Sequence, residues 1–156
     1  MKKKISQIFT DSIERHIPKL KIKIILGPAS SIPHNLKSLK NKYSSRITII
    51  QQTRNMSREI ENTKFGFCSG GITTYEFASK GIPFAIICDE KHQLRTAVEW
   101  EKRKCAINLG LVNSNSKEKI QFVIQEFLQN KIHLNKSSKI TDGLGANRVF
   151  NEILKI

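Results

Sequence analysis

The chain has 156 residues, 38% of them hydrophobic and 26% charged, which suits one globular domain with a real core. No apolar run approaches the roughly 20 residues that cross a bilayer, and Lys2, Lys3 and Lys4 lead into residues too polar for a signal-peptide core, so the expected compartment is the cytoplasm. The net charge of +14 favours anionic partners, but its lysines are spread along the whole chain without an arginine-rich arm, zinc-finger spacing or aromatic RNA-binding signature, so no specific nucleic-acid partner is expected.

Three cysteines, Cys68, Cys88 and Cys105, are irregularly spaced and odd in number, which reads as buried free thiols. His16, His34, His92 and His133 form no metal-ligand spacing with each other or with cysteine. No metal and no cofactor is expected.

In chain order, Lys3 to Ile17 places Ile5, Ile8, Phe9, Ile13 and Ile17 at helical spacing, with Pro18 as the stop. This N-terminal helix, residues 1–20, is assigned to the same domain as residues 21–156. Lys21 to Leu26 reads as a strand closed by Gly27-Pro28, and His34 to Lys42 as a helix. Arg46 to Ile50 is a second strand and Met56 to about Asn62 a short helix. Lys64 to Cys68 is a third strand, Ile72 to Lys80 a helix stopped by Gly81. Pro83 to Cys88 is apolar at every position after the proline, as a parallel strand buried on both faces should be. Gln93 to Arg103 is a helix and Cys105 to Leu109 a fifth strand. Ser116 is placed to cap a helix from Lys117 to Gln129. Asn130 to Ser138 reads as polar linker. Asp142-Gly143-Leu144-Gly145 then opens a last helix, with Ala146, Val149, Phe150, Ile153 and Leu154 expected to face inward.

Strand and helix alternate throughout. That pattern predicts an α/β fold, a Rossmann-like parallel sheet with helices on both faces and right-handed crossovers. Ligands of such folds bind beyond the carboxyl ends of the strands, where Gly27-Pro28, Gln51 to Met56, Ser69 to Thr73 and Asp89 to Gln93 are expected to meet. Ser69-Gly70-Gly71 is a strand-to-helix turn whose missing side chains let the backbone bend and a ligand come close. The first N–H groups of a helix lack intrahelical partners and its dipole is positive there, so a phosphate is a natural occupant. Glu76, one turn on, is placed to accept hydrogen bonds from ribose hydroxyls.

Three blocks carry a resemblance to a known group: Ser69-Gly70-Gly71-Ile72-Thr73-Thr74-Tyr75-Glu76-Phe77 with Lys80-Gly81-Ile82-Pro83; His92-Gln93 before a helix leading into Ala106-Ile107-Asn108-Leu109-Gly110; and Asp142-Gly143-Leu144-Gly145-Ala146-Asn147-Arg148-Val149. From about Lys21 onward the chain resembles the C-terminal half of two-domain GT-B glycosyltransferase-fold proteins that handle UDP-sugars. Nearest are the UDP-sugar hydrolase of pseudaminic acid synthesis and the spore-coat polysaccharide biosynthesis proteins. The resemblance implies that Ser69, Gly70, Gly71, Ile72 and Thr73 hold the diphosphate and that Glu76 binds the ribose. It places the backbone near Met56 at the uracil, and Gln93, with His92, at the sugar. It also implies that a catalytic histidine belongs to an N-terminal domain with no counterpart in these residues, so no catalytic residue is assigned. The expected partners are a UDP-sugar and a separate acceptor-domain chain. Two rival readings are a non-catalytic donor subunit of a split glycosyltransferase, with the helix from Ile5 to Ile17 as its contact, and a basic α/β nucleic-acid-binding protein.

Overall fold

A computed structural model describes residues 2–137 and 140–155, with side chains from residue 8 onward. The Ile5 side chain and Ser138 therefore lie outside the described residues. The chain forms two compact units, Met1–Glu59 with Leu111–Ile132, and Ile60–Gly110 with His133–Ile156.

The first unit begins with α1 (Lys2–Ile13), which runs into a 3-10 helical segment, Glu14–Lys19. Pro18 sits inside that segment and does not end the helix before it. A tighter turn accommodates it because its fixed φ is helical and its missing N–H is no loss near a helix end. Next come β1 (Ile22–Leu26), α2 (His34–Lys42), β2 (Ile47–Gln51) and α3 (Met56–Glu59). Strands β1 and β2 pair in parallel, with Ile22 opposite Ile47 and Leu26 opposite Gln51. The nine-residue helix α2 supplies the crossover and packs Leu36 and Leu39 inward.

α6 (Ser116–Leu128) returns to this unit and packs on α1. Ile120, Val123 and Ile124 of α6 are buried, as are Ile13 and Ile17. The fully buried Ser12 hydroxyl donates to the Ile8 carbonyl at 2.6 Å, as a buried hydroxyl must find a partner. Thr10, Ser12, Ile13 and Ile17 of this N-terminal segment are thus buried within the unit. Ser116 is the first residue of α6, not its cap: its buried Oγ accepts the Asn113 N–H at 2.9 Å and closes the preceding turn.

His16 stands in this unit with a buried Nε2 that has no hydrogen-bond partner among the described residues. Burial, with Arg15 and Lys19 nearby, holds its pKa below the usual histidine value. A depressed folded-state pKa contributes stability above the unfolded pKa of about 6.5, lost as pH falls. Thermal melts should therefore show Tm falling between about pH 7 and pH 5, ahead of any carboxylate titration, and His16→Gln should flatten that slope. An unchanged slope in the variant would assign it elsewhere.

The second unit holds β3 (Gly66–Cys68), α4 (Thr73–Ser79), β4 (Phe84–Cys88), α5 (Gln93–Lys102), β5 (Ala106–Leu111) and α7 (Gly145–Ile153). Its strands lie in the order β3-β4-β5, and β3 pairs with β4 in parallel. All five residues of β4 are buried, which is what an apolar central strand covered on both faces requires. Helices α4 and α5 both pack on it. Gly81, at φ +65°, ends α4 in the left-handed conformation that glycine adopts without strain. The parallel α/β architecture expected from the alternation is therefore present, its ladder bonds joining β1 with β2 and, separately, β3 with β4 and β5.

The polar stretch after Asn130 runs without secondary structure over residues 131–136, as expected, and is tethered: the Asn135 N–H donates to the Lys104 carbonyl at 2.6 Å, and the buried Ser137 hydroxyl to the Ala78 carbonyl at 3.2 Å. One expectation fails in this unit: α7 does not turn its apolar face inward. Val149, Phe150, Ile153 and Leu154 are between 60% and 67% exposed. Periodicity defines an apolar face; it does not say that anything covers it.

Candidate functional site

The turn between β3 and α4 lies at the carboxyl end of β3, as the sequence predicts. Its two glycines serve different ends. A Cβ on Gly70 would stand 2.7 Å from the Cβ and the carbonyl oxygen of Gln93, so Gly70 is glycine because the start of α5 packs directly on it. A Cβ on Gly71 would meet only the Ser69 Oγ, at 3.9 Å. Neither adopts a positive φ. The turn therefore needs no glycine-only backbone conformation: close packing fixes Gly70, and open space lies above Gly71.

Hydrogen bonds inside the turn leave a consistent set of donors. The Thr74 N–H and hydroxyl both reach the Gly71 carbonyl, at 3.2 and 2.8 Å. The Tyr75 and Glu76 N–H groups go to the Ile72 carbonyl. Gly70 donates its N–H to the Cys88 thiol. Among the described residues the N–H groups of Gly71, Ile72 and Thr73 have no partner. Three successive free donors form the kind of concavity that receives an oxyanion. Ser69 and Ile72 are exposed there, Ile72 at 79%, and Thr73 and Glu76 half-buried.

Gln93 joins the same cluster. Its Oε1 accepts the Asp89 N–H at 3.1 Å, which ties the end of β4 to the first turn of α5. Asp89 was not singled out in the sequence beyond its place in the loop. Its Oδ1 is buried without a hydrogen-bond partner among the described residues. The available signal was position: it is the first residue beyond the buried strand, where this architecture places ligand contacts. His92 is exposed beside Gln93, its side chain 73% exposed and its Nδ1 3.2 Å from the Glu90 carboxylate.

The thiols near the turn are unreactive by environment. Burial pushes Cys68 well above the usual thiol range, with Cys88 and Glu76 adding to it. Burial and the Asp89 carboxylate raise Cys88, against the smaller opposing effect of the Gly70 N–H. Thiolate is the nucleophile, so neither is poised to be one.

The structure brings Ser69, Gly70, Gly71, Ile72, Thr73, Glu76 and Gln93 together in the second unit, with His92 alongside in the chain. Met56, the first residue of α3, belongs to the first unit, as do the loops after β1 and β2. Those two loops are tied together by the Gln51 Nε2, which donates to the Ser30 carbonyl at 3.2 Å, and by the Gln52 N–H, which donates to the Leu26 carbonyl at 3.0 Å. The first unit has 16 Lys and Arg against 5 Asp and Glu; the second has 11 against 8. Most of the net positive charge therefore lies in the unit that does not carry the glycine turn. Among the described residues no group of His, Cys, Asp and Glu is placed to hold a metal ion, and no helix is long and apolar enough to cross a membrane.

No protein-family model matches the chain, and no solved structure matches it significantly. The chain spans about two-fifths of the length of the curated relative it matches. That relative, to which this chain is similar, is the spore coat polysaccharide biosynthesis protein SpsG of Bacillus subtilis (strain 168), at 25% identity over 142 residues that cover 85% of this chain and 41% of SpsG.

Proposed function

We propose that this chain is the nucleotide-sugar-binding donor half of a GT-B-type hydrolase or transferase in surface polysaccharide or nonulosonic acid biosynthesis, acting in the cytoplasm on a UDP-sugar. The observation that carries the reading is the row of unpartnered N–H groups at Gly71, Ile72 and Thr73 beneath an open Gly71. The similarity to SpsG supports the pathway class.

In this reading the three N–H groups and the Thr73 hydroxyl hold the diphosphate, and Ser69 and Gly70 shape the turn. Glu76 accepts from the ribose hydroxyls. Gln93, with His92, contacts the sugar, and the backbone at Met56 the uracil. Diphosphate is the leaving group, and fixed donors stabilise the charge that develops on it without reorganising. Holding the donor in place supplies the rest of this half's contribution. The group that activates water or an acceptor hydroxyl comes from another domain, in the same polypeptide or a separate chain.

Calorimetric titration with UDP and UDP-N-acetylglucosamine tests this. Wild type should bind. Gly71→Val should lose at least about ten-fold in affinity, because its side chain occupies the phosphate's place, while its Tm stays within a few degrees because nothing in the fold fills that space. Glu76→Ala should weaken UDP more than it weakens inorganic pyrophosphate. Absence of binding at millimolar UDP, or unchanged binding by Gly71→Val, would overturn the reading.

A further inference from the structure

The bond between Asp89 and Gln93 fixes what each side chain can offer a ligand. The Asp89 N–H donates to the Gln93 Oε1 at 3.1 Å. Only the oxygen of an amide accepts, so this bond sets the side chain's orientation and leaves Nε2 as its free end. Among the described residues Nε2 has no partner, and it is not buried. Gln93 is thus held as an outward donor. The Asp89 carboxylate is its complement. Its Oδ1 is buried and meets no hydrogen-bond donor among the described residues. Ionised carboxylate oxygens only accept, and a buried one left unmet costs free energy. Both groups stand beside the glycine turn: the Gln93 Cβ and carbonyl lie against Gly70, and the Gly70 N–H donates to the thiol of Cys88, the residue before Asp89.

We propose that Asp89 is a specificity-determining residue of this site: its carboxylate accepts a hydrogen bond from a sugar hydroxyl of the bound nucleotide-sugar, while the Gln93 Nε2 donates to a sugar oxygen beside it. The inference rests on the nucleotide-sugar reading of the turn. A hydroxyl donates and accepts at the same atom, so a sugar presents what both side chains lack. A phosphate oxygen suits Gln93 but is repelled by the carboxylate. A metal ion suits the carboxylate but not the amide donor next to it, and among the described residues no group of His, Cys, Asp and Glu is placed to share an ion. His92 lies against Glu90 and leaves the Asp89 carboxylate unmet. The diphosphate therefore belongs on the Gly71–Thr73 donors, and the sugar extends from it toward the start of α5.

Calorimetric titration of the full chain with UDP, UDP-glucose and UDP-N-acetylglucosamine tests it, read as the affinity for each UDP-sugar divided by that for UDP. In the wild type at least one sugar should add at least about ten-fold over UDP. Asp89→Asn keeps the side chain's size and the backbone N–H that holds Gln93, but not the charge that strengthens the bond to a hydroxyl. It should remove most of that gain and leave Tm within a few degrees, because the carboxylate's Oδ1 makes no bond within the fold. Gln93→Glu still offers an oxygen to the Asp89 N–H but replaces the outward donor with an acceptor, so it should cancel the gain as well. Fluorine accepts weakly and cannot donate. Replacing the hydroxyls of the favoured sugar by fluorine one at a time should therefore cost the wild type at least about ten-fold at one position, a loss that does not depend on any variant folding. An unchanged ratio in Asp89→Asn, an equal loss for UDP and UDP-sugars, no sensitive hydroxyl, or a wild type that binds UDP and gains nothing from either sugar overturns the inference and leaves the donor-site reading standing. No binding of UDP overturns both.

Discussion

Phe84→Ala is expected to lower the unfolding free energy by about 3–5 kcal/mol. Phe84 is fully buried at the start of β4. Its ring stacks on Phe77 with centroids 5.7 Å apart and meets Trp100 edge-on at 5.8 Å. Truncation removes one buried ring, takes from Phe77 its stacking partner and leaves Trp100 with Tyr75 alone, at 5.5 Å, and close packing on β4 leaves little room to collapse into the space. Against a typical total of about 5–15 kcal/mol the variant stands at the edge of folding. Urea titration followed by fluorescence reads this directly, because Trp100 is the only tryptophan. Phe84→Leu, which keeps most of the volume, should cost under about half as much. A loss below about 1 kcal/mol for Phe84→Ala would show that the aromatic trio does not hold this unit together.

Gly66→Ala is the second, with an expected cost of about 1–3 kcal/mol and a Tm lower by several degrees. Gly66 lies opposite Phe84 in the β3–β4 ladder, and the place its side chain would take is filled by the Phe77 ring. A ring end on a flexible side chain would move aside cheaply. Phe77 is not free to do so, because it is 6% exposed and pinned against Phe84. Phe77→Leu shortens the ring away from the new methyl, so the two substitutions together should cost less than the sum of each alone. Strict additivity would mean that the two side chains do not compete for the same space.

Both effects turn on contacts that no local pattern reveals. Gly66 looks like an ordinary strand residue in Phe65-Gly66-Phe67, and nothing in that triplet shows that a ring from the next helix takes its place. The two glycines of the turn make the same point from the other side. Gly70-Gly71 marked the strand-to-helix turn, since the pair follows a strand and precedes a helix. Only packing shows that Gly70 is held by Gln93 and that Gly71 alone is open to a ligand. Gln93 was legible as a candidate from its block with His92, but its bond to Asp89 was not, because that bond depends on where β4 ends.

The sequence by itself determined which segments are strands and helices, and most of their boundaries. Alternation, apolar runs and the stops at Gly27-Pro28 and Gly81 are local, and backbone preferences act within a few residues. It also pointed to the all-buried character of β4, since Phe84-Ala85-Ile86-Ile87-Cys88 is apolar at every position and too short for a helix of usual length. Tertiary structure alone decided the rest. It gathered the segments into two units, placing Met56 in one and the glycine turn in the other. It also packed α1 against α6, although one rival reading made that helix a partner contact, and left the apolar face of α7 uncovered. Amphipathicity records a demand for burial; whether a neighbour meets it depends on which surfaces the folded chain brings within reach.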